Sequence, residues 1–233
     1  LQKMGLRAGE RPETWNILPP ERIESLHRAY LDAGADIIYT NTFGANRLKY
    51  PEGGEFALEE VVRSAVNIAK SAQKACGRED SSWVALDIGP SGKLLKPLGD
   101  LDFEDAVALF AEVVSCGAQA GADLVVIETM GDSYELKAAV LAAKENCALP
   151  VIATAAFDQK ARQLTGATPE SVTALLESLG VDALGLNCGL GPAERLPAAR
   201  RFAAAASPPW VAVPHPGQPR AVSGQAVGDT GPG

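Results

Sequence analysis

Six short apolar runs alternate with amphipathic or Ala-rich stretches along the chain. The runs are Ala35–Phe43, Trp83–Ile88, Asp123–Thr129, Pro150–Ala156, Asp182–Cys188 and Pro209–Val213. Each is rich in Val, Ile, Leu or Ala, which predicts strands buried on both faces. The intervening stretches, Glu21–Ala33, Phe56–Ala75, Phe103–Ala120, Ser133–Lys144, Pro169–Leu179 and Ala193–Ala205, predict helices. Thr168-Pro169-Glu170 supplies an N-cap followed by Pro at the first helical position. Gly34, Gly121 and Gly180 each follow a helix in the usual C-terminal place. The alternation predicts parallel βαβ units. Six strands fall short of the eight of a closed α/β barrel. A doubly wound sheet could be complete with six, but no Gly-rich dinucleotide fingerprint follows an early strand, which weakens that alternative.

Composition narrows the function classes. The chain has 233 residues, 46% of them apolar, which suits one α/β domain. Its net charge of −8 gives no basic face for nucleic acid or an anionic membrane. No apolar run approaches the ~20 residues of a membrane span. Four irregularly spaced cysteines and no secretion signal suggest reduced thiols in a cytoplasm. Leu1-Gln2-Lys3-Met4-Gly5 reads as the middle of a helix, and the last residues as neither helix nor strand, so both ends are expected to be cut. The expected organisation is a single domain over 1–233 with a Pro- and Gly-rich, loop-like tail over 214–233.

Candidate chemistry gathers where the apolar runs end. In a parallel barrel those positions share one rim, and catalysis happens there. Thr40, Asn41 and Thr42, then Asp87, Glu128 and Thr129, Asn187 and Cys188, and His215 all fall at such ends. Asp87 and Glu128 could form a hydrolytic acid/base pair, or each could cap the segment that follows. Glu128 comes directly after four apolar residues, so an ionised carboxylate there needs a partner, for which a substrate ammonium is suited. Cys188 heads a Gly-rich loop, where a thiol could ligate a metal, attack a substrate, or simply be buried. Cys76 and Cys147 precede strands on the opposite rim, and Cys116 lies inside a helix. His27, within the first helix, reads as a surface or packing residue.

Four phrases carry a resemblance: "GADIIYTNTFGANRLKY" (34–50), "LDIGPSGKLLKPLGDLDFEDA" (86–106), "GADLVVIETMGDSYELKAAVLAAKE" (121–145) and "ALGLNCGLGP" (183–192). Together they resemble the homocysteine S-methyltransferase family, most of all the homocysteine-binding module of cobalamin-dependent enzymes of that family. The resemblance implies a (β/α)8 TIM barrel, here incomplete, with its first and last strands missing. It implies zinc held by three cysteines, of which Cys188 matches the first; the adjacent Cys-Cys pair that supplies the others is absent. By the same resemblance, Glu128 binds the homocysteine amino group, and Thr40 and Asn187 line the amino-acid pocket; Asn41 and Asp87 are candidates beside them. Tyr39 stands where relatives often have Glu, and His215 where they have Asn. The implied reaction is zinc-dependent methyl transfer to the thiol of homocysteine, giving methionine; relatives take the methyl group from methylcobalamin, betaine or S-methylmethionine, and the expected donor here is cobalamin, bound through other domains of a parent protein. Two further readings stand beside it: a metal-free barrel hydrolase using Asp87 and Glu128, and a non-catalytic fragment that binds the amino acid.

Overall fold

The computed structural model describes residues 1–7, 9–187, 192–207, 209–213, 219–222 and 225–228. Two short 3-10 turns, Gln2–Met4 and Pro12–Asn16, come first. There follow α1 (Pro20–Asp32), β1 (Ile37–Tyr39), α2 (Leu58–Ala75), β2 (Trp83–Ile88), α3 (Phe103–Gln119), β3 (Leu124–Met130) and α4 (Ser133–Asn146). Then come β4 (Val151–Ala155), α5 (Pro169–Ser178), β5 (Ala183–Asn187), α6 (Pro192–Ala205), β6 (Trp210–Val213), β7 (Pro219–Val222) and β8 (Gln225–Gly228).

β1 to β6 form one parallel sheet whose spatial order is the chain order. Each crossover steps to the next strand in the same direction, so right-handed connections put every helix on one face. A doubly wound sheet reverses its order partway, and this one does not. The winding is that of a barrel with six of its eight strands. Among the described residues β1 pairs only with β2, and β6 only with β5.

Side chains alternate between the two faces of a strand. Leu86, Ile88, Val125, Ile127, Ala153, Leu184 and Leu186 face the helices and join the main core with Phe110, Val114, Leu136, Leu176 and Phe202. Ala85, Leu124 and Val126 face the other way, packed with Tyr39 and Ile152. Two of the helices begin at side-chain caps. The Asp132 side chain accepts from the N–H of Tyr134 at 3.0 Å. Thr168 and Ser171 exchange side-chain and backbone bonds at the start of α5.

Three expectations need correction. The first apolar run yields only three strand residues, because the Thr40 and Thr42 hydroxyls bond the backbone of Asp87 where ladder bonds would otherwise continue. Leu1–Gly5 forms a 3-10 turn and not part of a longer helix, with Gly5 at φ +104°. The tail, read as loop, contains an antiparallel pair running from Pro219 opposite Gly228 to Val222 opposite Gln225.

Candidate functional site at the strand ends

Asp87, Glu128, Thr154 and Asn187 come from the carboxyl ends of four adjacent strands, on the face opposite the helices. Asp87 lies in register with Val126, so Glu128 projects two residues farther along β3. Between Ile127 and Met130 the β3–β4 register slips, with three steps on β3 against two on β4. This bulge contains Glu128 and Thr129, and bulges of this kind re-aim side chains beside functional sites.

Asn187 organises the bulge. Its Oδ1 accepts from the Thr129 N–H at 2.8 Å and from the Thr154 hydroxyl at 2.9 Å. Its Nδ2 donates to Glu128 Oε2 at 3.0 Å and to Thr129 Oγ1 at 2.8 Å. That uses two donors and two acceptor positions, the full capacity of a carboxamide. Thr129 has φ +61°, a costly conformation for a β-branched residue. The two-point grip from Asn187 holds it there, and Glu128 is oriented as a result.

Asp87 is treated differently. It is 6% exposed, and its Oδ1 is buried without a hydrogen-bond partner. Burial pushes its carboxyl well above the usual carboxylate range, and the charges of Glu128 and then Glu13 add to that. Glu128 is also raised by burial, against the opposing effect of the Asn187 bond. Tyr39 is pushed up to about 12 by burial and then by these two carboxylates. Asp87 therefore caps nothing; it is a buried acid beside another acid. The backbone around it is fully tied. Its N–H donates to Thr40 Oγ1 at 3.1 Å, and Thr42 donates to its carbonyl at 2.7 Å. Since the Thr42 proton is spent there, the 2.7 Å contact between the two threonine hydroxyls runs from Thr40 to Thr42.

A cleft of about 420 Å³ opens between the two edge strands, lined by Ile37, Ile38 and Tyr39 of β1, Glu128, Val213 of β6, and Leu26, His27 and Tyr30 of α1. His27 is buried at 5% exposure, a packing residue whose imidazole is lowered to about 4 by burial. Asn41 turns away from the strand ends: its Nδ2 donates to the Pro12 carbonyl at 2.8 Å and to Asn16 Oδ1 at 3.0 Å. Thr154 and Glu13 are contributors that the sequence reading missed. Thr154 left one signal, a lone hydroxyl inside an apolar strand; Glu13 left none.

Cys188 and His215 lie outside the described residues. Cys76 and Cys147 sit at the C-terminal ends of α2 and α4, and Cys116 within α3, all free and half-buried. Among the described residues no group of three His, Cys, Asp or Glu could hold a metal ion. Among the described residues, Cys76, Cys116 and Cys147 form no three-thiolate set such as the resemblance implies. What the strand ends do offer is a pair of carboxyl groups in a low-dielectric setting, suited to an ammonium group. Among the described residues no helix is long and apolar enough to cross a membrane.

Known proteins bear on this site. Methionine synthase of Mycobacterium leprae (strain TN) is 30% identical over 217 residues, 89% of this chain and 18% of that protein. That of Mycobacterium tuberculosis (strain ATCC 25618 / H37Rv) is 31% identical over the same length. The chain spans under a fifth of these relatives. The homocysteine methyltransferase MmuM of Escherichia coli, in its metallated form, superposes with a TM-score of 0.80 at 21% identity, over 91% of this chain and 79% of that one. Its apo form gives 0.74. These likenesses agree with the incomplete barrel. The family model for homocysteine S-methyltransferases matches residues 2–232, and the chain belongs to that family.

Proposed function

We propose that this chain holds L-homocysteine for methylation at its thiol, as the homocysteine-binding part of a methionine synthase-like enzyme. The observation that carries the reading is the pair of carboxyl groups at the ends of β2 and β3, one oriented by Asn187 and one left unpartnered. The substrate ammonium would lie between them. Its charge makes ionisation of both favourable, and the proton held at Asp87 is released on binding. Thr40 would act by fixing Asp87, Asn187 by fixing Glu128, and Asn41 by fixing the loop to the N-terminal turn. A held amino acid leaves its thiol in a fixed place, and fixed placement supplies much of the rate of a transfer reaction.

Methyl transfer also requires a thiolate, and a free thiol has a pKa of about 8.5. The family's means of activating it is zinc, and Cys188 is the only residue of this chain that matches a ligand. A single thiolate falls short of the three or four protein ligands that zinc sites take. The methyl donor, cobalamin in this reading, would be bound by further domains of a parent protein, in a reducing cytoplasm. Family membership removes the reason to read Asp87 and Glu128 as a hydrolytic pair.

The test is calorimetric titration with L-homocysteine. Glu128→Gln should weaken binding about 10- to 100-fold, the scale of a lost charge-assisted hydrogen bond. Undiminished affinity would overturn the reading.

A further inference from the structure

Glu13 is an unusual residue to bury. It lies in the short N-terminal turn Pro12–Asn16, yet it is only 4% exposed. Its Oε1 accepts from the N–H of Gly44 at 2.6 Å, and its Oε2 from the Tyr50 hydroxyl at 3.4 Å. A Cβ on Gly44 would come within 2.5 Å of Oε1, so a side chain there would have to displace the Glu13 carboxylate. Gly44 follows two residues after Thr42, whose hydroxyl holds the Asp87 carbonyl. A second tie runs in parallel, with Asn16 Nδ2 donating to the Asn41 carbonyl at 2.8 Å. The turn therefore clamps the loop that clamps Asp87.

We infer that Glu13, although outside the pocket, is a positioning residue for it, governing through this loop and through space how Asp87 receives a substrate ammonium. The inference rests on the pocket proposed above. The ionisable groups acting on Asp87 are Glu128 from β3, Tyr39 from β1 and Glu13 from the N-terminal turn. Around Glu13 stand the Tyr50 hydroxyl, Arg11 over the Tyr50 ring, and Lys49, whose Nζ lies 2.8 Å from the same point that a Gly44 Cβ would occupy. The Glu13 charge favours the proton on Asp87, and an arriving ammonium must expel that proton. Affinity should then weaken as pH falls, with Glu13 setting part of where this happens.

Glu13→Gln keeps an oxygen for Gly44 and removes the charge. Affinity for L-homocysteine is measured by calorimetry across pH, with 4-mercaptobutyrate, which lacks the amino group, as control. The acidic limb for homocysteine should move to lower pH by roughly half a unit or more. The affinity for 4-mercaptobutyrate should stay within about twofold. In an Asp87→Asn background the shift should vanish. An unmoved limb in a variant that still binds homocysteine would overturn the role of Glu13, and so would an equal effect on both ligands, which marks a merely structural part. A wild-type protein that does not discriminate the two ligands would sink the pocket itself, and this inference with it.

Discussion

The two faces of the sheet use the same strands for different ends. Toward the helices, Leu86, Ile88, Val125, Ile127, Ala153, Leu184 and Leu186 are buried and apolar over their whole length. On the other face the character changes along each strand. Ala85, Leu124 and Val126 give way to Asp87, Glu128, Thr154 and Asn187 near the carboxyl ends. One face follows the rule that buried groups are apolar or satisfied; the other departs from it at Asp87. Period-two alternation lets the chain satisfy both, since a change on the inner face leaves the outer packing untouched. Instability confined to a few inner positions is what a binding site built into a stable frame requires.

The comparison breaks most severely at Asn187. Asn187→Ala removes four hydrogen bonds and releases the strained Thr129. A loss of about 2–4 kcal/mol in chemical denaturation is expected, together with homocysteine binding. A stability change below about 0.5 kcal/mol would mean that the amide network contributes little.

At Asp87 the sign reverses. Its folded pKa is raised, so between the ordinary carboxylate range and that raised value the folded state holds a proton that the unfolded state has lost. Stability from this group is present at low pH and is lost as pH rises through that window. Asp87→Asn should therefore stabilise the free protein at pH 7 by about 1–3 kcal/mol and flatten that slope, while weakening homocysteine binding. A destabilised variant at pH 7 would contradict the unpartnered acid.

His27 titrates with the opposite sign. Its imidazole is lowered from 6.5 to about 4. The unfolded chain therefore binds the extra proton between those values, and stability falls as pH drops from 6.5 toward 4. His27→Phe should remove up to roughly 2–3 kcal/mol of that acid sensitivity. Parallel pH–stability curves for the two proteins would refute the burial argument. The smallest effect is expected from metal removal. Because the apolar outer face holds the fold and no metal-ligating group of three gathers among the described residues, chelation should move Tm by no more than about a degree. Stoichiometric zinc retained after dialysis would contradict this.

Much of the frame is legible in the amino-acid order, because burial on both faces makes each strand a continuous apolar run that stands out between helices. Trp83–Ile88 begins and ends where its composition changes. The rim follows from the same reasoning, since Glu128 and Asn187 each end such a run. What the order of residues hides is pairing between distant segments. Nothing near Glu13 marks it as reaching Gly44, 31 positions away. Asn41, beside Thr40, looks like a pocket residue, yet its amide is committed to Pro12 and Asn16. The bulge at Glu128 arises from register with β4, which no local pattern encodes. At β7 and β8, Pro and Gly content hid an antiparallel pair.

The central claim is that the inner carboxyl groups receive an ammonium. The most direct measurement is the ratio of dissociation constants for 4-mercaptobutyrate and L-homocysteine at pH 7, by calorimetry on the wild-type protein. The two ligands share thiol, chain and carboxylate and differ only in the amino group. The account predicts that homocysteine binds at least about tenfold more tightly, one charge-assisted contact's worth. Equal affinity would contradict it.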